Sequence, residues 1–397
     1  MNRGLVAAAI LCVLTGWSST ADADWAACQG KPTRACLLEE AWRGDNGPLA
    51  GKDRLDVLIL TDFRNHPEYL TAADIEEAKR QVTSQPVSPT ATRLFYFALA
   101  ATGLVAANRV QEAFDLMPSL DVGMRNAALN ELTVALIKAD ALDEVPIFGR
   151  RMLADPRSVF DTAVKTLADQ GKIEQALAFM AVNPTVLPDE KEMLVAVGVA
   201  YALRGDPKMA ARFYDKAQSI LELQQPSAVQ DDVSMQLRLV RISLQALRGD
   251  TDGAEAALQQ LPAVSDKPSD RGVEINRSLG YQKLIVFLLR TGRFDIALDV
   301  AKSAPERFRA YSLVSVAGWD AGHGRLDDAH AILSLMGDNP KARGAVLRAL
   351  AIATAKSNAE SNAKSGDITS AVALASQTSD PTSRRATLFE VAQTLRP

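Results

Sequence analysis

Aromatic residues make up only 6% of the 397 residues, and histidine and cysteine occur three times each. So little His and Cys leaves scant material for a tetrahedral metal site, which draws mainly on those two residue types. No sign of charge dominates: 44 basic residues against 48 acidic ones give a formal net charge of −4. That balance excludes a general drive toward nucleic acid, whose binders present basic faces. Long hydrophobic runs are missing after residue 23, where Leu284 to Leu289 has six residues and Leu94 to Ala101 has eight. A membrane-spanning helix needs roughly 20. What the chain does have is alanine: 64 residues, within a hydrophobic share of 47%. That share is ordinary for a folded protein, and alanine is both the best helix former and small enough to let helices approach. The length permits two or three compact domains or one long repeat array.

The first 23 residues read as a targeting segment. Arg3 supplies a positive start, Gly4 to Leu14 is an apolar run of eleven, and Ala21-Asp22-Ala23 is a small-x-small cleavage site. This order is the secretory signal pattern and is set aside from fold reasoning. An uncleaved anchor is the weaker alternative, because eleven apolar residues fall short of a span. Cleavage after Ala23 removes one Arg and one Asp, so the mature charge stays at −4. The mature chain is expected to be periplasmic and not inserted in the membrane.

Export changes the meaning of the cysteines. Cys12 leaves with the signal, and Cys28 and Cys36 remain. An even count in an oxidising compartment favours a disulfide over two free thiols. It would close a nine-residue loop containing Gly30 and Pro32, worth on the order of 2–3 kcal/mol by loop entropy. A metal site is disfavoured, since no His or further Cys lies nearby to complete it.

One pattern recurs along the whole chain: a turn residue, usually Gly, followed five residues later by Ala inside an amphipathic run. Clear copies start at Gly171, Gly205, Gly249, Gly292, Gly324 and Gly366. Weaker ones start at Cys36, Ala73, Asn108 and Asp140. Successive starts lie 37, 35, 32, 31, 34, 44, 43, 32 and 42 residues apart. Such a period predicts helix–turn–helix units. Gly or Asn ends the first helix in a left-handed turn. Asp then caps or charges the start of the second. The Ala marks a close helix crossing. Each unit keeps an apolar face that only its neighbours can bury, so the copies must stack. Polar connectors (83–92, 223–232, 262–272 and 357–365) account for the longer intervals. Leu55 to Leu60 alternates briefly, but its context favours helix over strand.

These residues resemble the tetratricopeptide repeat family. In the central copy, Gly198, Tyr201, Gly205, Ala210, Tyr214 and Ala217 follow that family's small and large alternation. Leu194 stands where the family has its signature Trp, and Glu222 where it has the closing Pro. The likeness is good over about 158–220 and loose over the rest. It implies an all-α fold, a right-handed α-solenoid forming a single array from residue 24 to 397. It also implies a concave face built by the first helices, with a protein or peptide as its partner. Mapped onto the central copy, the groove positions are Glu192, Val195, Val199, Ala202 and Leu203.

Other clusters are weighed on their own. Arg290, Arg293, Arg307 and Arg309 could hold an acidic segment, although the interleaved Asp295, Asp299 and Glu306 make a self-neutralised face the better reading. Arg290 is kept as a partner-binding candidate. Phe95, Tyr96 and Phe97 cover most of a helix circumference, so core packing is expected with one ring exposed. His66, His323 and His330 lack metal-pair spacing. The run from Gly47 to Lys52 (GPLAGK) has three residues between its glycines and Asp53 where a phosphate loop needs Ser or Thr. Asp250-Thr251-Asp252-Gly253 imitates a calcium loop but reads better as a helix cap. Glu360-Ser361 resembles the Glu-Ser pair of lytic transglycosylases without the surrounding domain. No catalytic, metal or cofactor-binding set emerges. The expectation is an envelope scaffold or peptide-binding module without chemistry of its own. The alternative is an envelope enzyme, such as a peptidoglycan-acting hydrolase.

Overall fold

The computed structural model describes residues 25, 27–44, 47–84, 90–145, 156–182, 190–223, 242, 245, 248–260, 281–282, 284–304, 306–337, 339–361 and 366–395. The signal-like segment 1–23 and most of the polar connectors lie outside the described residues. What is described is all-α but for one hairpin, in which β1 (Arg43–Gly44) pairs antiparallel with β2 (Gly47–Pro48). Leu55 and its neighbours lie in a helix. None of the described helices is long and apolar enough to cross a membrane.

Seven turns repeat one geometry. Asn108, Asp140, Gly171, Gly205, Gly249, Gly292 and Gly324 all have positive φ, between 57° and 102°. At each, the next residue donates its N–H to a carbonyl five positions back: Arg109 to Leu104, Ala141 to Leu136, Lys172 to Leu167, Asp206 to Tyr201. Asp250, Arg293 and Arg325 repeat the bond to Gln245, Leu288 and Asp320. This is the Schellman closure, which satisfies the last carbonyls of one helix and lets the chain reverse into the next. Five residues beyond each turn, Ala113, Val145, Ala176, Ala210, Ala254, Ala297 and Ala329 are buried. The starts at Cys36 and Ala73 behave differently: each lies inside a helix rather than at a turn, while Gly366 is the first residue of a helix preceded by residues outside those described. Their partners Ala41, Ala78 and Ala371 are buried all the same.

The described residues cluster into two compact units. One spans 62–316. It contains α3 (Ala72–Thr83), α4 (Thr90–Ala106), α5 (Val110–Asp115) and α6 (Val122–Lys138). Then come α7 (Pro156–Asp169), α8 (Ile173–Val182), α9 (Glu190–Leu203), α10 (Pro207–Leu223) and α11 (Thr251–Gln259). After helical residues at 284–290 follow α12 (Phe294–Ser303) and the first part of α13 (Glu306–Gly322). The helices that precede turns pack side by side in chain order, α4 on α6, α6 on α7, α7 on α9. Among them, α4, α7 and α9 also pack on the helix after their turn, α5, α8 and α10. Exposed ion pairs tie residues at or next to a turn to the unit before, at a similar spacing: Arg109–Glu76, Lys172–Asp140, Arg204–Glu174 and Arg248–Asp215. Each such pair is worth about 0–1 kcal/mol.

Arg109 also pairs with Glu112 at 2.7 Å, and that pairing sets an acid dependence. The Arg109 guanidinium, with help from Lys79, pulls the Glu112 carboxyl down to about 2. A carboxyl lowered on folding stabilises the native state above its unfolded value and loses that contribution as pH falls through the folded one. Wild type should therefore lose more stability than Glu112→Gln between about pH 4.5 and pH 2. Parallel urea titrations across that range check it; identical slopes would overturn it.

The other unit joins the two ends of the chain, up to Thr61 and from Ala317 on. Its helices are α1 (Arg34–Ala41), α2 (Gly51–Ile59), α14 (Leu326–Leu333), α15 (Pro340–Ser361), α16 (Gly366–Ser376) and α17 (Pro381–Thr394). Both α1 and α2 pack on α17. Trp42 lies against Phe389 with ring centroids 4.9 Å apart, and the Arg54 guanidinium covers its ring at 3.8 Å. Gln29 donates to Ser376 and Arg34 to Gln393. The nearly buried Glu390 is met by Arg348 at 2.7 Å. Cys28 and Cys36 form a disulfide, with Cα atoms 5.9 Å apart. It ties the segment before α1 to that helix.

Candidate functional site

The groove positions implied by the family resemblance lie on α9 and fare unequally. Val195 and Val199 are buried with Leu194, Ala210, Tyr214 and Ala217 in one core cluster. Helix α9 packs on α7 as well as α10, so two of its faces are used internally. Ala202 is partly buried against the same cluster. Glu192 is held by Lys165 of α7 at 2.5 Å, and Lys165 also reaches Asp161 at 2.7 Å. Arg290 is drawn to Asp169 at 2.5 Å. Leu203, at the end of α9, is the candidate that stands in the open, 51% exposed.

Leu203 has company. The other large apolar side chains exposed in this unit are Phe95, Val286 and Tyr311. They lie on α4, on the helical residues before Gly292, and on α13. Every one of these helices comes before a left-handed turn, so all four are first helices of their pairs. Among the described residues of this unit, no second helix shows a large apolar side chain so exposed. Tyr96 and Phe97 are fully buried, so of the three consecutive aromatics only Phe95 looks outward.

The core beneath this face holds an unmatched polar atom. The Tyr214 hydroxyl is buried with no hydrogen-bond partner among the described residues. Burial pushes the phenol up to about 12, against a weak opposing pull from Arg293. Tyr214→Phe removes the unpaired hydroxyl and should raise stability at neutral pH by about 1 kcal/mol. A group whose folded value is raised keeps its contribution below the unfolded value, near 10, and loses it as pH rises through the folded one. The gain of Tyr214→Phe should therefore grow between about pH 10 and pH 12. Chemical unfolding at pH 7 and pH 10.5 would show it, and a loss at pH 7 would reveal a hidden partner for the hydroxyl.

The chemical motifs resolve into local structure. The Asp250 carboxylate accepts the Gly253 N–H at the start of α11, as a helix cap does. His66 donates to Glu68 and stacks on Tyr69. His323 stacks on Trp319 and donates to its carbonyl. Arg309 donates to the Ala304 carbonyl. The Gly47 to Lys52 run forms the second hairpin strand and the first turn of α2. No group of three or more His, Cys, Asp or Glu among the described residues could hold a metal ion.

Comparison with known proteins adds little. No family model and no curated protein matches the chain. Among solved structures, Ton1535 from Thermococcus onnurineus NA1 is similar at 14% identity, over 74% of this chain and 98% of that one. Its TM-score is 0.23, too low to carry an argument about fold.

Proposed function

We propose that the protein is a periplasmic interaction scaffold or peptide-binding module of the cell envelope, built as a right-handed α-solenoid of tetratricopeptide-like repeats. The observation that carries this reading is the segregation of Phe95, Leu203, Val286 and Tyr311 on first helices. Exposed apolar side chains confined, among the described residues, to one class of helix suit a docking face, since scattered ones would need no explanation. The recurrent Schellman turns and the side-by-side first helices agree with a repeat array. The disulfide agrees with an oxidising compartment, as does the signal-like segment with export. The alternative of a peptidoglycan-acting hydrolase has no observation in its favour. The carboxylates that converge, Asp161 and Glu192, are bridged by Lys165.

Site-specific photocrosslinking in the envelope tests the reading. A benzophenone side chain at position 203 or 311 should yield a discrete adduct. The same probe at Arg212 or Lys302, exposed on second helices, should not. Equal labelling from both classes of helix, or from neither, would overturn it.

A further inference from the structure

A cavity of about 310 Å3 opens within the 62–316 unit, where the ends of α4, α6 and α7 meet the loop before α3. Its polar lining is Arg64, Asn65, Thr102, Lys138 and Gln170, and alanines of α4 and α6 form its apolar wall. None of the described lining residues is acidic.

The two cations are held in place from behind. Lys138 donates to the Asn65 side-chain carbonyl at 2.6 Å. The Asn65 amide nitrogen donates to both Asp62 oxygens, at 2.8 and 3.0 Å. Asp62 therefore fixes which end of the Asn65 amide faces Lys138. Arg64 gives Nε and Nη2 to Glu131 at 2.9 and 3.0 Å, which leaves Nη1 outside that fork. An ammonium with one neutral partner keeps donors to spare. A preset pair of donors spares a ligand the cost of ordering them. Partial desolvation holds Lys138 below the ordinary lysine value, with Arg64 acting in the same sense and Asp62 and Glu131 opposing. The ends of α4 and α6 would repel an anion, but the carbonyls of Leu104, Val105, Leu136 and Ile137 are engaged in turn bonds.

We propose that this cavity is a binding site for a small free carboxylate, held by the Lys138 ammonium and the Arg64 guanidinium, with its short aliphatic body on the alanine wall. The volume lies at the low end for a ligand pocket, which suits a small molecule. The site is independent of the exposed apolar face and stands whether or not that face binds a partner.

Ligand-observed NMR on the full mature chain tests it, using straight-chain carboxylates of two to five carbons. Inorganic phosphate and a capped peptide with one central Glu serve as comparison probes. The acids should bind. Lys138→Met should weaken them by about tenfold or more, as expected for a lost charge-assisted bond. Lys172→Met, which removes a cation paired with Asp140 that is not among the lining residues, should leave binding unchanged. Asn65→Asp places an acid beside Lys138 without altering it and should weaken binding too, so the test does not hang on the folding of one variant. Three results would overturn the proposal: no binding of the acids, equal effects of Lys138→Met and Lys172→Met, or binding of phosphate or the Glu peptide in preference to the free acids.

Discussion

Lys165→Met should lower stability at pH 7 by about 2 kcal/mol, between the value of an exposed ion pair and that of a buried one, because the triad is part-buried. Lys165 sits between Asp161 on its own helix, at 2.7 Å, and Glu192 on α9, at 2.5 Å. Desolvation is the largest influence on this ammonium and works against its charge, yet the two carboxylates together hold its value above the ordinary one. Stability from a lysine raised on folding is complete below its unfolded value and lost only as pH climbs through the folded one, far above neutrality. With the cation gone, two largely shielded carboxylates face each other, and repulsion raises the value of the pair. The variant should then regain stability as pH falls from 7 toward 4.5, where wild type gains nothing from this triad. Glu192→Gln added to Lys165→Met should recover part of the loss at pH 7, less than additively, because both changes act on one network. Urea unfolding at the two pH values measures all three. A loss under 1 kcal/mol at pH 7, with no pH dependence, would mean that water already screens the triad.

The same residues show what could be read from the chain and what could not. Gly171 and Gly205 announce their turns because a left-handed residue is chemically distinctive, and the alanine five places on reports a close crossing. Cys36 and Ala73 share the second signal without the first, and there the backbone continues as helix. The alanine is evidence of packing, and only the turn residue is evidence of reversal. Val195 and Val199 defeat a reading by helix face for another reason. An apolar stripe does not say whether a second helix or a partner covers it, and here α7 and α10 both do. Glu192 and Arg290 look available in sequence because their ion partners lie 27 and 121 residues away, and no local pattern encodes such distances. The docking of α1 and α2 on α17, and the assembly of Arg64 with Lys138, are hidden in the same way. Leu203 was legible because it ends its helix, where cover from both neighbours runs out.

Gly198→Val should cost about 3 kcal/mol, the upper part of the range for overfilling a packed core. Gly198 is a helical residue of α9 without the left-handed φ of the turn glycines, so ordinary helix propensity would favour replacing it. What requires glycine is the neighbour across the crossing. A Cβ built there would lie 2.5 Å from Tyr214 Cε1 and 2.8 Å from Cδ1. These are atoms of a rigid ring inside the core cluster, with Leu194, Val195, Val199, Ala210 and Ala217 around it. The ring cannot swing aside without opening space among them, so α9 and α10 must separate or Tyr214 must leave its rotamer. Gly198→Ala meets the same ring with one carbon and should cost less, about 1–2 kcal/mol. Tyr214→Leu removes the opposing atoms. Combined with Gly198→Val it should be more stable than the sum of the two single changes implies, a coupling of about 1 kcal/mol or more for residues in contact. Thermal and urea unfolding of the four proteins close that cycle. Strict additivity would show that the glycine is not there to admit the ring.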